Sequence, residues 1–179
     1  SNMDWSKLNN NGHTLLLRAI NWASAGETSP LTSSEILLVV GNATEPLSSK
    51  DEGYRNLMEE WNYTVSVIDD GDSQLNFNTA MEAADVVYIS GTSSGPSLLD
   101  KVTNTIKPVV NEINGKIDNF GFASNTSATV NTDTFTKTDA NHYITQDFAG
   151  NSVTIFTSLQ VIPIASGTLA PDLKIAASA

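Results

Sequence analysis

Residues 91 to 95, Gly91-Thr92-Ser93-Ser94-Gly95, carry the spacing G-x-S-x-G between an apolar run and a helix-like stretch. In a hydrolase that spacing holds a nucleophilic serine on a tight strand-to-helix turn. A serine is a nucleophile at neutral pH only beside a base, and the base needs an orienting partner. Downstream of Ser93 the sole histidine is His142, preceded by Asp118, Asp133 and Asp139, and His13 lies far upstream. The spacing is loose and the chain is rich in serine, so a polar turn produces it as readily as a catalytic elbow does. The expected role of Ser93 is to shape a loop.

Three other groups could do chemistry. Asp69, Asp70 and Asp72 crowd carboxylates at the end of an apolar run, where a cation would relieve their repulsion, but the spacing is not that of an EF-hand loop. An ordinary solvated turn is the expectation, with no metal site. Glu112 follows another apolar run and could be a buried acid with a raised pKa; an exposed or hydrogen-bonded glutamate explains it more simply. Tyr54, Trp61 and Tyr63 could stack on a sugar, yet Tyr54 and Trp61 sit at helical spacing, which points to the core.

The elements that must position these residues alternate in type. "NNNGHTLLLRAINWASAG" repeats Leu15, Leu16, Ala19, Ile20 and Trp22 at helical spacing, and Gly26 is a plausible stop. "ETSPLTSS" has linker composition. "EILLVVG" reads as a strand buried on both faces, "KDEGYRNLMEEW" as a helix, "YTVSVID" as a strand and "NTAMEAA" as a short helix. "DVVYIS" is a third strand, "PSLLDKVTNTI" a helix with Pro96 in its first turn, and "KPVVNEI" a fourth strand. Strands alternating with helices predict right-handed crossovers and a parallel sheet in the order 2-1-3-4. Beyond residue 116 the pieces become short and rich in Thr, Ser and Asn, with "SVTIFTS" and "LQVIPIA" as the expected strands of an irregular C-terminal region.

Composition bounds what such a chain can do. Its 179 residues suffice for one well-buried domain, and without cysteine it has no disulfide, thiolate metal site or cysteine nucleophile. A net charge of -11 argues against nucleic acid and anionic membranes, which need a basic face. No apolar run is long enough to span a bilayer, so no membrane insertion is expected. Ser1, Asn2 and Met3 read as a tag remnant, which leaves room for a natural leader or a preceding domain. Abundant Asn, Ser and Thr with few lysines suggest an extracellular or cell-surface protein.

The order "ILLVVGN", helix, "YTVSVIDD", short helix, "DVVYISGTSSG", helix, "KPVVNEING" resembles the first half of the class I glutamine amidotransferase-like fold, in particular the modules of bacterial surface and secreted proteins. The resemblance covers about residues 35 to 120. It implies that Asp85 opens the strand leading into the glycine-rich turn and that Lys107 to Val110 form the strand delivering the nucleophile. The nucleophilic cysteine position then falls near Ile113, with Gly115 as the glycine that follows. Ser93 lies one strand-helix unit too early for that role. In an α/β-hydrolase the elbow follows a fifth strand, and only three precede Ser93. "ANHYITQDFAGNSVTIFTS" resembles the family stretch with His-Pro-Ile-Thr before a strand, with Tyr143 in place of proline, while the tail lacks the family's terminal histidine and glutamate. The first helix resembles the closing helix of such a module.

These readings give a three-layer, flavodoxin-like α/β fold with a parallel sheet, divided as an N-terminal helix over 1–26, a linker over 27–34 and an amidotransferase-like domain over 35–179. The function expected is that of a non-catalytic module of a larger bacterial secreted or surface protein, binding a ligand or packing against other domains of the same polypeptide, without a cofactor. The alternative is a hydrolase or amidotransferase-like enzyme using Ser93 or Glu112 at the C-terminal strand ends. Asn42, Thr92, Ser93, Ser94, Glu112 and His142 are the candidate ligand-binding residues.

Overall fold

A computed structural model describes residues 5–25, 34–94, 96–103, 105–113, 119–121, 123–169 and 177–178. The chain divides into two compact units, Ala23–Ile113 and Ser1–Trp22 together with Asn114–Ala179. Of the linker expected over 27–34, all but Ser34 lies outside the described residues, as do Gly95, Gly115 and Asp118.

The unit Ala23–Ile113 is an α/β layer structure. Its strands β1 (Glu35–Val40), β2 (Thr64–Asp69), β3 (Val86–Ile89) and β4 (Val109–Asn111) form one parallel sheet in the order β2-β1-β3-β4, as the alternation of elements predicts. Ile36 to Val40 and all of β3 are fully buried, which is why these stretches are continuously apolar rather than alternating. The register pairs Leu38 with Val67 on one side and with Tyr88 on the other.

Helix α2 (Ser49–Glu60) begins where Ser48 caps it, accepting the Asp51 N–H at 3.2 Å. Asp51, Tyr54 and Met58 recur at helical spacing and are its buried face. The helix ends on Asn62 at φ 65°, a left-handed position that asparagine tolerates better than other residues with a side chain, and the Tyr63 N–H returns to the Met58 carbonyl at 3.1 Å. Helix α3 (Gln74–Ala83) is capped by Ser73 and buries Phe77 and Met81. Helix α4 (Pro96–Val102) starts on the proline, whose missing N–H costs nothing there. Tyr54 and Tyr63 are buried in the core, whereas Trp61 is half-buried at the end of α2.

The other unit begins with α1 (Asn10–Ala25), most of which belongs to it. Leu16 and Ile20 are buried, while Leu15 packs at the edge of a cluster made by Leu8, Phe135, Phe148, Val153, Ile155 and Phe156. Trp22 stays partly exposed, against the expectation that it shares the buried face. Gly12 is required by close approach, since a Cβ there would collide with the Ile155 carbonyl oxygen and the Leu8 side chain.

The region expected to be irregular is instead rich in strands. Among the described residues β5 (Ala123–Thr132) pairs antiparallel with β8 (Gln160–Leu169), and β6 (Thr134–Lys137) lies between β7 (Ser152–Thr154) and β9 (Ala177–Ser178). The two predicted runs fall at β7 and β8. The sequence hides β5, because Ser, Thr and Asn lack the alternation of a half-buried strand, and cross-strand partners decide its conformation.

Candidate functional site

The C-terminal ends of β1, β3 and β4 bring most of the candidate residues together. Parallel strands point their last residues to one edge of the sheet, and α2 lays its buried face beside it. Two carboxyl groups meet the end of β3 there, Asp51 from α2 and Glu112 immediately after β4.

Asp51 is buried among hydroxyls. It accepts from Ser48 Oγ at 2.6 Å, from Ser90 Oγ at 2.6 Å and from Thr92 Oγ1 at 2.9 Å. Ser90 Oγ in turn accepts the Thr92 N–H at 3.2 Å, so the turn after β3 closes on the helix through one carboxylate. Neither Asp51 nor Ser90 is a candidate in the sequence reading, although Ser48-x-x-Asp51 is a recognisable helix-start spacing that could have flagged the aspartate.

Glu112 is half-buried, and its carboxyl reaches inward to three donors. Oε2 accepts from the Tyr54 hydroxyl at 2.7 Å and from the Gly91 N–H at 3.1 Å, and Oε1 accepts from the Tyr88 hydroxyl. The two tyrosine rings are tilted neighbours, 5.7 Å between centroids. Burial pushes the Glu112 carboxyl above its ordinary value, against the opposing pull of the Tyr88 and Tyr54 hydroxyls, the Gly91 N–H and the Lys50 charge. Burial, then the Glu112 charge, pushes the Tyr88 hydroxyl well above the ordinary tyrosine value, so Tyr88 remains a donor across the physiological range.

Ser93 is not poised for attack. It is 5% exposed, and its hydroxyl donates to the Val39 carbonyl at 3.0 Å, on the central strand. At the ends of β1 and β3, where open α/β sheets receive ligands, the two backbones come close together: a Cβ on Gly41 would collide with the Thr92 carbonyl oxygen, and the Gly41 N–H donates to Thr92 Oγ1 at 3.3 Å. Of the remaining candidates, Ser94 is exposed and its N–H is held by Asp70 Oδ2 at 2.5 Å, while Asn42 is exposed and its side chain accepts the Thr44 N–H at 2.9 Å. Ile113 is held by the Asn111 side chain, which accepts its N–H at 3.0 Å.

His142 belongs to the other compact unit. Its Nδ1 accepts the Ile144 N–H at 3.2 Å and its ring lies 5.4 Å from that of Trp22, which gives it a packing and loop-closing role. The acidic turn is likewise committed to backbone N–H groups, with Asp69 accepting the Gly71 N–H at 2.8 Å within the turn and the Ala43 N–H at 3.1 Å from the loop after β1. Among the described residues no group of three or more His, Asp and Glu side chains could hold a metal ion, and no helix is long and apolar enough to cross a membrane. A groove of about 670 Å3, with Gln74, Met81, Lys101 and Lys107 in its lining, shares no residue with the strand-end cluster. Both its lysines donate to backbone carbonyls, Lys101 to Asp70 at 2.8 Å and Lys107 to Ala84 at 2.6 Å.

No protein-family model, curated protein or solved structure matches this chain.

Proposed function

We propose that the chain is a non-catalytic α/β module of a larger bacterial secreted or surface protein, with a binding or structural role toward other domains of the same polypeptide. The observation that carries this reading is the bond from Ser93 Oγ to the Val39 carbonyl, which spends the hydroxyl of the most enzyme-like motif on the sheet itself. A base would have to break that bond and expose a buried side chain before the serine could attack. The order of the four parallel strands supports the finer reading as a glutamine amidotransferase-like module, and Ile113 at the nucleophile position supports the loss of its chemistry. A fluorophosphonate probe tests the reading: Ser93 is expected to remain unlabelled, and stoichiometric labelling that disappears in His142→Ala would replace it with a serine hydrolase.

One observation favours an enzyme. Glu112 has a carboxyl with a raised pKa at the sheet edge where α/β enzymes work, as a proton donor would. Against it, both oxygens are already taken by protein donors. Turnover of ester or amide substrates by the intact chain that is lost in Glu112→Gln would establish this second reading.

A further inference from the structure

We propose that the free edge of β5 is a self-association surface, at which β5 pairs antiparallel with the β5 of a second copy of this chain. Among the described residues β5 and β8 pair only with each other, and two strands are fewer than a sheet needs to stand on its own. One face of this ribbon is covered, since Ile162 packs on the apolar cluster around Phe156. The edge of β5 is not.

The two edges of the ribbon differ. Pro163 lies opposite Thr129 and has no N–H, so in this pair the backbone groups face away from the neighbouring strand, and the outer edge of β8 lacks a donor there. By the same alternation the N–H and C=O groups of Thr129 and Asn131 face outward from β5, while those of Val130 and Thr132 face β8. Thr129 and Asn131 are exposed, and Val130 and Thr132 are half-buried. Register shifts interrupt β5 between Ala123 and Ala128, which leaves Ala128 to Thr132 as its regular part. Nothing in that part blunts the edge, because it holds no proline, lysine or other charged residue.

Charge selects the occupant. With 20 acidic and 9 basic side chains, two copies repel over most of their surface. Residues 119–132 and 148–171, which contain β5 and β8, hold no charged residue at all. Copies can approach along this strip without opposing like charges, and the strip gives a charged partner nothing to pair with. A two-fold axis beside Val130 sets Thr129 of each copy against the partner's Asn131, and each such pair exchanges both of its backbone hydrogen bonds. The ribbons then join into one sheet in the order β8-β5-β5-β8. Pro163 lies on both outer edges of that sheet, where it opposes further addition.

Sedimentation and amide hydrogen exchange of the intact chain, at about 10 µM and about 1 mM, test the pairing. A dimer is expected at the higher concentration, with the Thr129 and Asn131 amides about tenfold or more better protected than at the lower one. The Val130 and Thr132 amides, which face β8, are expected to be protected at both. A chain that stays monomeric at the higher concentration overturns the proposal. So does a dimer in which the Thr129 and Asn131 amides exchange freely, which would place the contact elsewhere. Protection of these two amides in the monomer also overturns it, because the chain would then cover this edge itself. Asn131→Asp is expected to weaken the dimer about fivefold at low salt, by setting two like charges about 7 to 8 Å apart across the axis. Raising salt to about 0.5 M is expected to restore the dimer, and a dimer unchanged by the substitution at low salt overturns the proposal.

Discussion

At the scale of single residues, the cluster shows how a motif can carry the letters of a catalytic site and the duties of a hinge-free turn. The Val39 carbonyl that receives the Ser93 hydroxyl also receives the Ser90 N–H at 2.9 Å, so it stays partnered when the hydroxyl is removed. Ser93→Ala is therefore expected to cost about 1 kcal/mol in urea unfolding, the ordinary worth of one hydrogen bond. Asp51 is the opposite case. It satisfies three hydroxyls from inside the protein, and Asp51→Ala leaves them to find one another, with only the Ser90–Thr92 contact of 3.1 Å already in place. A loss of about 2 to 4 kcal/mol is expected by the same measurement, larger than for Ser93 because the removed partner is buried and accepts from three hydroxyls at once. Equal losses in the two variants would show that Asp51 does not organise the turn. Ser93, Thr92 and Glu112 were legible as candidates because their types stand out beside apolar runs. Asp51 and Ser90 were not, because a carboxylate in a first helical turn and a serine after a strand look like surface residues until another chain segment covers them.

At the scale of elements, two backbone positions decide whether neighbouring pieces fit. Gly41 ends β1 against the Thr92 backbone, and because the obstacle is main chain it cannot swing aside. Gly41→Ala is expected to lower stability by about 1 to 3 kcal/mol, the usual penalty for overpacking, and to disturb the amide resonances of residues 90 to 93. Unchanged resonances would mean the turn has more room than the structure gives it. Asn62 closes α2 with φ 65°. Asn62→Ala is expected to cost about 1 kcal/mol for placing a Cβ in the left-handed region, while Asn62→Gly should hold or slightly raise the melting temperature. The elements of the parallel sheet were readable for a local reason, since continuous apolar runs flanked by amphipathic helices have few other ways to be buried. The polar strand β5 was not readable, because its conformation is specified by pairing with β8, a partner whose matched residues run from Gln160 to Leu169.

At the scale of the whole molecule, 20 acidic against 9 basic side chains leave the surface repelling itself. Screening should relieve this, so raising salt from about 0.01 M to about 0.5 M is expected to increase the melting temperature, whereas a chain held by surface ion pairs would lose stability. The alternation of strands and helices, the parallel order and the excess of negative charge follow from the sequence alone, because periodicity and composition are local or additive properties. The joining of the N-terminal helix residues up to Trp22 with Asn114–Ala179 in one compact unit follows only from tertiary structure, as does the gathering of Asp51, Glu112, Tyr54 and Tyr88 around the end of β3. Both depend on which distant segments meet, and the desolvation that sets the Glu112 pKa exists only once they have met.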